Sequence, residues 1–168
     1  MNGVVLIGFM GCGKSSIGRY MAKNGYNLVD TDSYIEEKTG RTIKAIFDTE
    51  GEEYFRRLET DVLLELLGRS TDKLVVAAGG GLPMYARNRA LIHKLGTVVY
   101  LRANADTLAK RLRGDTVRPL LQNGDVKERI KELMSKRAST YEGTADIIID
   151  TDKCSYEKVF SMIKERIN

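Results

Sequence analysis

Apolar residues in this chain fall in short unbroken runs, separated by longer stretches in which they recur every three or four positions. The first run, Val4-Val5-Leu6-Ile7, reads as a buried strand. From Lys14 to about Asn24 the spacing of Ile17, Tyr20 and Met21 predicts a helix, which Gly25 stops. Asn27 to Thr31 reads as a second strand, Ser33 to Thr39 as a short helix closed by Gly40, and Ile43 to Asp48 as another, ended by the Glu50-Gly51 turn. Residues 52–67 give the clearest helical signal, with Phe55, Leu58, Val62 and Leu66 on one face. Strands are then expected at Leu74–Ala78, Thr97–Leu101 and Ala145–Ile149, and helices at Tyr85–Leu95, Asp106 to about Arg113, Val126–Tyr141 and Tyr156–Ile167. Residues 114–124, with Gly114, Pro119 and Gly124, read as a mobile loop.

Five strands alternate with helices, and the strand runs are continuously apolar. That is the pattern of a parallel sheet buried on both faces, so the expected fold is α/β, a single three-layer α/β/α domain over residues 1–168. Right-handed crossovers place ligands outside the carboxyl ends of the strands. The residues just after the first three strands therefore share one edge: Gly8 to Ser15, Asp30 with Asp32, and Gly79-Gly80-Gly81.

The first of these stretches carries the most specific chemistry. Gly8 to Ser15 match G-x-x-x-x-G-K-[ST] at every fixed position, between an apparent strand and an apparent helix. Such a loop turns backbone N–H groups of Gly11, Cys12 and Gly13 toward phosphate, and the helix start at Lys14, Ser15 and Ser16 adds its dipole. Lys14 would reach the β- and γ-phosphates and the Ser15 hydroxyl a Mg²⁺ ion. Many proteins with this loop hold the metal through an acid ending the third strand, but Val75-Val76-Ala77-Ala78-Gly79 supplies none, which leaves Asp30 as the nearest candidate. Asp32, two residues on, would point to the same side if strand geometry persists, and would orient or deprotonate an attacking hydroxyl; the plain alternative is a cap for the helix near Ser33.

Three arginines extend the pattern. Val126, Ile130, Leu133, Arg137 and Tyr141 form one stripe, so a guanidinium stands among core positions and needs an anion, either an internal carboxylate or that of a substrate. Arg56 and Glu59 share a helix face, as a surface ion pair or as a braced anion grip. Arg118, held out of helical geometry by Pro119, is placed to act as a lid arginine on transition-state charge. His93, the only histidine, sits among Leu91, Ile92 and Leu95 and reads as structural.

Composition narrows the partners. A net charge of +4 with basic residues spread along all 168 positions suits anionic small molecules better than nucleic acid. No apolar run approaches membrane-spanning length, and the first strand runs directly into the phosphate loop, so neither a membrane anchor nor a cleavable leader is expected. Cys12 and Cys154 make no disulfide framework and are expected as free thiols in a reducing cytoplasm.

Taken together the chain resembles the shikimate kinases. The resemblance covers essentially its whole length and rests on Gly8-Phe9-Met10-Gly11-Cys12-Gly13-Lys14-Ser15, Asp30-Thr31-Asp32, Gly51-Glu52-Glu53-Tyr54-Phe55-Arg56-Arg57-Leu58-Glu59, Gly79-Gly80-Gly81, Arg118-Pro119-Leu120-Leu121, and Arg137 with Tyr141. It implies a P-loop kinase fold, ATP and Mg²⁺, and phosphorylation of the 3-hydroxyl of shikimate on the route to chorismate and the aromatic amino acids. By the same resemblance Lys14 and Ser15 serve phosphates and metal, with Asp30 reaching the metal through water. Asp32 contacts the shikimate hydroxyls as the proposed base, Arg56 and Arg137 clamp the carboxylate, and Gly79, Gly80 and Gly81 lie against the ring. Arg111 would lie against adenine and Arg118 belongs to a lid over about 112–124, while the substrate-binding region covers about 33–61. The family often carries a proline after the fifth strand, where this chain has Thr151-Asp152-Lys153-Cys154-Ser155-Tyr156. A kinase of the same fold acting on gluconate or a nucleoside monophosphate is the nearest rival. A GTPase-like switch lacks its Asn-Lys-x-Asp motif, and an inactive binding module sits poorly with intact Lys14, Ser15, Asp32 and Arg118. The expected state is a cytoplasmic monomer without nucleic-acid or membrane partners.

Overall fold

The computed structural model describes residues 3–113 and 125–167, and places five parallel strands in the order β2-β3-β1-β4-β5. The strands are β1 (Gly3–Ile7), β2 (Asn27–Asp30), β3 (Leu74–Ala77), β4 (Gly96–Arg102) and β5 (Ile147–Asp150). β1 lies between β3 and β4, with Val4, Val5 and Leu6 opposite Val75, Val76 and Ala77 on one side and Thr97, Val98 and Val99 on the other. Every residue of β1 and β3 is buried, which accounts for their unbroken apolar runs.

Among the described residues seven helices cover the sheet: α1 (Lys14–Lys23), α2 (Thr31–Thr39), α3 (Ile43–Leu67), α4 (Ala86–Leu95), α5 (Ala105–Arg111), α6 (Val126–Thr144) and α7 (Tyr156–Ile167). From β1 the chain crosses by α1 outward to β2, whereas from β3 it crosses by α4 over β1 to β4. Right-handed crossovers in opposite directions put α1 and α4 on opposite faces and open a crevice at the carboxyl ends of β1 and β3. The phosphate loop leaves one of these ends and the glycine triplet the other.

Several boundaries differ from expectation, each for a local reason. β2 stops at Asp30, because the Asp30 side chain accepts from the Ser33 N–H and starts α2 at Thr31. Asp32 is thus on the first turn of a helix and not on a continued strand. The segments expected on either side of Gly51 run on as α3, but Gly51 has φ 80° and ψ 172°, so the axis kinks where the turn was expected. α6 continues beyond Tyr141 to Thr144, whose hydroxyl donates to the Thr140 carbonyl, and β5 begins correspondingly later. Leu82-Pro83-Met84 form a 3₁₀ turn absent from the sequence reading, closed by Met84 N–H on the Gly81 carbonyl. The expected lid, including Arg118, lies outside the described residues over 114–124.

Candidate active site

The phosphate loop joins β1 to α1 through glycines that only an achiral backbone accommodates, Gly11 at φ 80° and Gly13, the N-cap of α1, at φ 108°. Lys14 folds back over the loop, where its Nζ donates to the Gly8 carbonyl at 2.8 Å and the Phe9 carbonyl at 3.0 Å. The ammonium is thereby held above the backbone curl rather than in solvent. Ser15 Oγ donates to Asp30 Oδ2 at 2.5 Å, so the first residue pair expected at a metal is already in contact. Asp30 does two jobs, since its other oxygen caps α2.

A cleft of about 700 Å³ opens over this loop. Gly11, Cys12, Gly13, Lys14, Ser15, Ser16, Asp30, Asp32, Gly79, Gly80 and Arg111, all singled out from sequence, line it. Arg111 at the end of α5 donates to the Gly11 and Cys12 carbonyls, each at 3.3 Å, and to the Thr151 carbonyl at 3.3 Å. It ties the phosphate loop to the segment after β5 while flanking the cleft. Cys154, Ser155 and Tyr156, the last 54% exposed, also line the cleft.

Gly81, Arg56 and Arg137 do not line this cleft. They meet at the glycine triplet that ends it. A methyl group at Gly80 would lie 3.5 Å from the Met10 nitrogen and 3.8 Å from Arg137 Nη1, so Gly80 stands between the phosphate loop and this guanidinium. A methyl at Gly79 would fall 2.7 Å from Asp32 Oδ1 and 2.8 Å from Glu59 Oε1, and one at Gly81 would collide with the Arg56 guanidinium. At Gly79 and Gly81 a charged group leaves no room for a side chain, whereas a methyl at Gly80 would make only ordinary contacts. Two buried partners fix the triplet: Gly79 N–H donates to Thr31 Oγ1 at 2.9 Å, and Tyr141 donates its hydroxyl proton to the Gly80 carbonyl at 2.6 Å.

Arg56 and Glu59 form no surface pair. Both are buried, and Arg56 Nη1 donates to Glu59 Oε2 at 2.8 Å. The other Glu59 oxygen is buried without a hydrogen-bond partner among the described residues. Burial pushes the Glu59 carboxyl up to about 7, although Arg56 beside it pulls the opposite way; Asp32 adds repulsion and Arg137 a little attraction. Arg137 is also buried; its guanidinium lies beside the Tyr141 hydroxyl and attracts the Glu59 carboxylate. A buried cation thus faces the triplet, where an internal carboxylate or that of a substrate can answer it.

Sequence reasoning missed Thr31, Thr151 and Glu52. Thr31 sits between two singled-out aspartates, and Glu52 precedes Arg56 by one helical turn, a spacing that signals an ion pair. Thr151 gave no signal, since its Oγ1 reaches the Cys12 and Arg102 carbonyls only through tertiary packing.

A family model described as shikimate kinase matches residues 10–168. A shikimate kinase of Bacillus anthracis is 39% identical over 100% of this chain and 99% of its own length. One from Neisseria gonorrhoeae is 41% identical over 96% of this chain and 94% of its own. Among solved structures, shikimate kinase from Acinetobacter baumannii in complex with shikimate superposes with a TM-score of 0.91 at 36% identity, covering 99% of this chain and 94% of that one. A match that takes in the phosphate loop and runs to the end of the sequence, with relatives aligned over nearly their full lengths, means that the chain belongs to the shikimate kinase family.

Proposed function

We infer that this chain transfers the γ-phosphoryl group of ATP to the 3-hydroxyl of shikimate, giving shikimate 3-phosphate and ADP, in the synthesis of chorismate and the aromatic amino acids. The observation that carries the residue-level reading is the meeting of Arg56, Arg137 and Asp32 at Gly79–Gly81, directly beside the phosphate loop. A small carboxylated alcohol laid on the triplet has cations for its carboxylate and an acid for its hydroxyl, within reach of a phosphate in the cradle.

In this reading the N–H groups of Gly11, Cys12, Gly13, Lys14, Ser15 and Ser16 hold the phosphates, and Lys14 leaves its loop carbonyls for the β- and γ-oxygens. Ser15 and Asp30 fit a Mg²⁺ ion: they are two adjacent oxygen donors on the cleft wall, and this cation keeps several waters and needs few protein ligands. When bound, the ion draws charge off the phosphates. Arg111 and the segment 151–156, with its exposed Tyr156 ring, flank the base. Arg56 and Arg137 fix the shikimate carboxylate, and Gly79, Gly80 and Gly81 let the ring approach the backbone. Asp32 orients the 3-hydroxyl in line with the phosphoryl group and accepts its proton as the new bond forms. Catalysis then rests chiefly on positioning and charge stabilisation. Arg118 in the lid (about 112–124) supplies further positive charge to the transferred group, and residues of about 33–61 make up the substrate-binding region. No described helix is long and apolar enough to cross a membrane. We take the enzyme to act as a cytoplasmic monomer on small molecules alone.

Asp32→Asn tests the role of the acid. It preserves size and one acceptor oxygen but cannot take a proton, so kcat should fall about 10²-fold with little change in the KM for ATP. Turnover equal to that of the parent, with an unchanged melting temperature, would remove Asp32 from the chemistry.

A further inference from the structure

Arg56 has five N–H donors and three edges. One terminal nitrogen, Nη1, is engaged by buried Glu59. The end carrying both terminal nitrogens lies against Gly81, where even a methyl group would collide with Nη1, Nη2 and Cζ. The remaining edge is the Nε/Nη2 fork, the geometry that accepts a carboxylate with two parallel bonds. It is taken: Nε donates to Glu52 Oε1 at 3.2 Å and Nη2 donates to the same oxygen at 2.8 Å.

The two acidic partners of Arg56 differ in kind. The Glu59 side chain is 1% exposed and locked between Arg56 and Gly79, whereas that of Glu52 is 52% exposed and lies on the rim, one residue past the Gly51 kink. Glu59 has nowhere to go, while Glu52 reaches water by a change of rotamer. Charge points the same way. Glu52 and Glu59 both stand against Arg56, so an incoming carboxylate competes with acids already there.

We propose that Glu52 is a built-in occupant of the substrate-carboxylate position on Arg56, displaced when the substrate binds, and that its charge sets the affinity for the anionic acceptor. The proposal rests on the reading above that Arg56 grips the shikimate carboxylate. It gives Glu52 two consequences: Arg56 stays ordered and neutralised between turnovers, and anions that cannot also engage Arg137 compete poorly for it.

The test is calorimetric titration of shikimate, and separately of its uncharged methyl ester, into the full-length protein and its variants. Glu52→Gln should tighten shikimate binding about two- to fivefold, the range of an exposed ion pair, and leave ester binding unchanged. A residue that merely steadied Arg56 would give the opposite sign, so weaker or unaltered shikimate binding in E52Q overturns the proposal. Equal tightening for acid and ester overturns it too, since the gain would then come from space and not charge. Arg56→Lys separates the two layers: it should weaken shikimate binding at least about tenfold. If it does not, the grip itself is misplaced, whatever E52Q does.

Discussion

Replacing Lys14 by alanine should cut turnover at least about 10³-fold, a loss of roughly 4 kcal/mol of transition-state stabilisation. Its ammonium is held over the phosphate loop by the Gly8 and Phe9 carbonyls. Those bonds are made to backbone acceptors that also point into the loop, so the group is parked where phosphate oxygens arrive. Removing it leaves the N–H cradle, which still binds nucleotide but no longer offsets the charge that moves onto the β–γ bridge. Steady-state kinetics with saturating shikimate checks this, alongside a melting curve. The side chain is only part-buried and its bonds are local, so the fold should survive. Near-normal turnover would remove Lys14 from the chemistry.

Arg137→Ala should raise the KM for shikimate about 100-fold, roughly 3 kcal/mol, while the KM for ATP changes little. The asymmetry follows from position. Arg137 faces Gly80 and Tyr141 on α6, behind the triplet, and does not line the cleft over the phosphate loop. A substrate carboxylate at the triplet would lose a desolvated charge partner, and nucleotide would lose nothing it touches. Arg137→Lys controls for packing: it keeps the charge but not the planar fork, and should fall between the two. Equal effects on both KM values would count against a carboxylate clamp.

Much of this site was legible because the fold forces it. Once the runs at 4–7, 27–31 and 74–78 are read as parallel strands, topology alone brings the phosphate loop, the Asp30/Asp32 pair and the glycine triplet to one edge. Arg137 announced itself as a charge in an apolar stripe. What pattern could not supply was the side-chain detail. Asp32 reached the cleft although its strand ended early, because Asp30 turned the chain into a helix; the expected location held for a different reason from the one expected. Whether Arg56 and Glu59 sat on the surface or in the interior depended on how α3 packs, and the apolar face at 55, 58, 62 and 66 left both options open. That Gly79 and Gly81 are pressed by different charged groups is a tertiary fact with no local signature. The Glu52 contact was visible in principle, at i,i+4 from Arg56, but surface pairs of that spacing are so common that nothing marked it.

The central claim is that one sheet edge unites a triphosphate cradle with a grip for a single carboxylated alcohol. It is tested most directly by ATP consumption with the purified full-length chain, offered shikimate, gluconate and nucleoside monophosphates in parallel. ADP should form with shikimate, in step with shikimate 3-phosphate, and only at background rates with the others. Comparable turnover of gluconate or of a nucleotide would contradict the assignment of Arg56, Arg137 and Asp32 to this one acceptor.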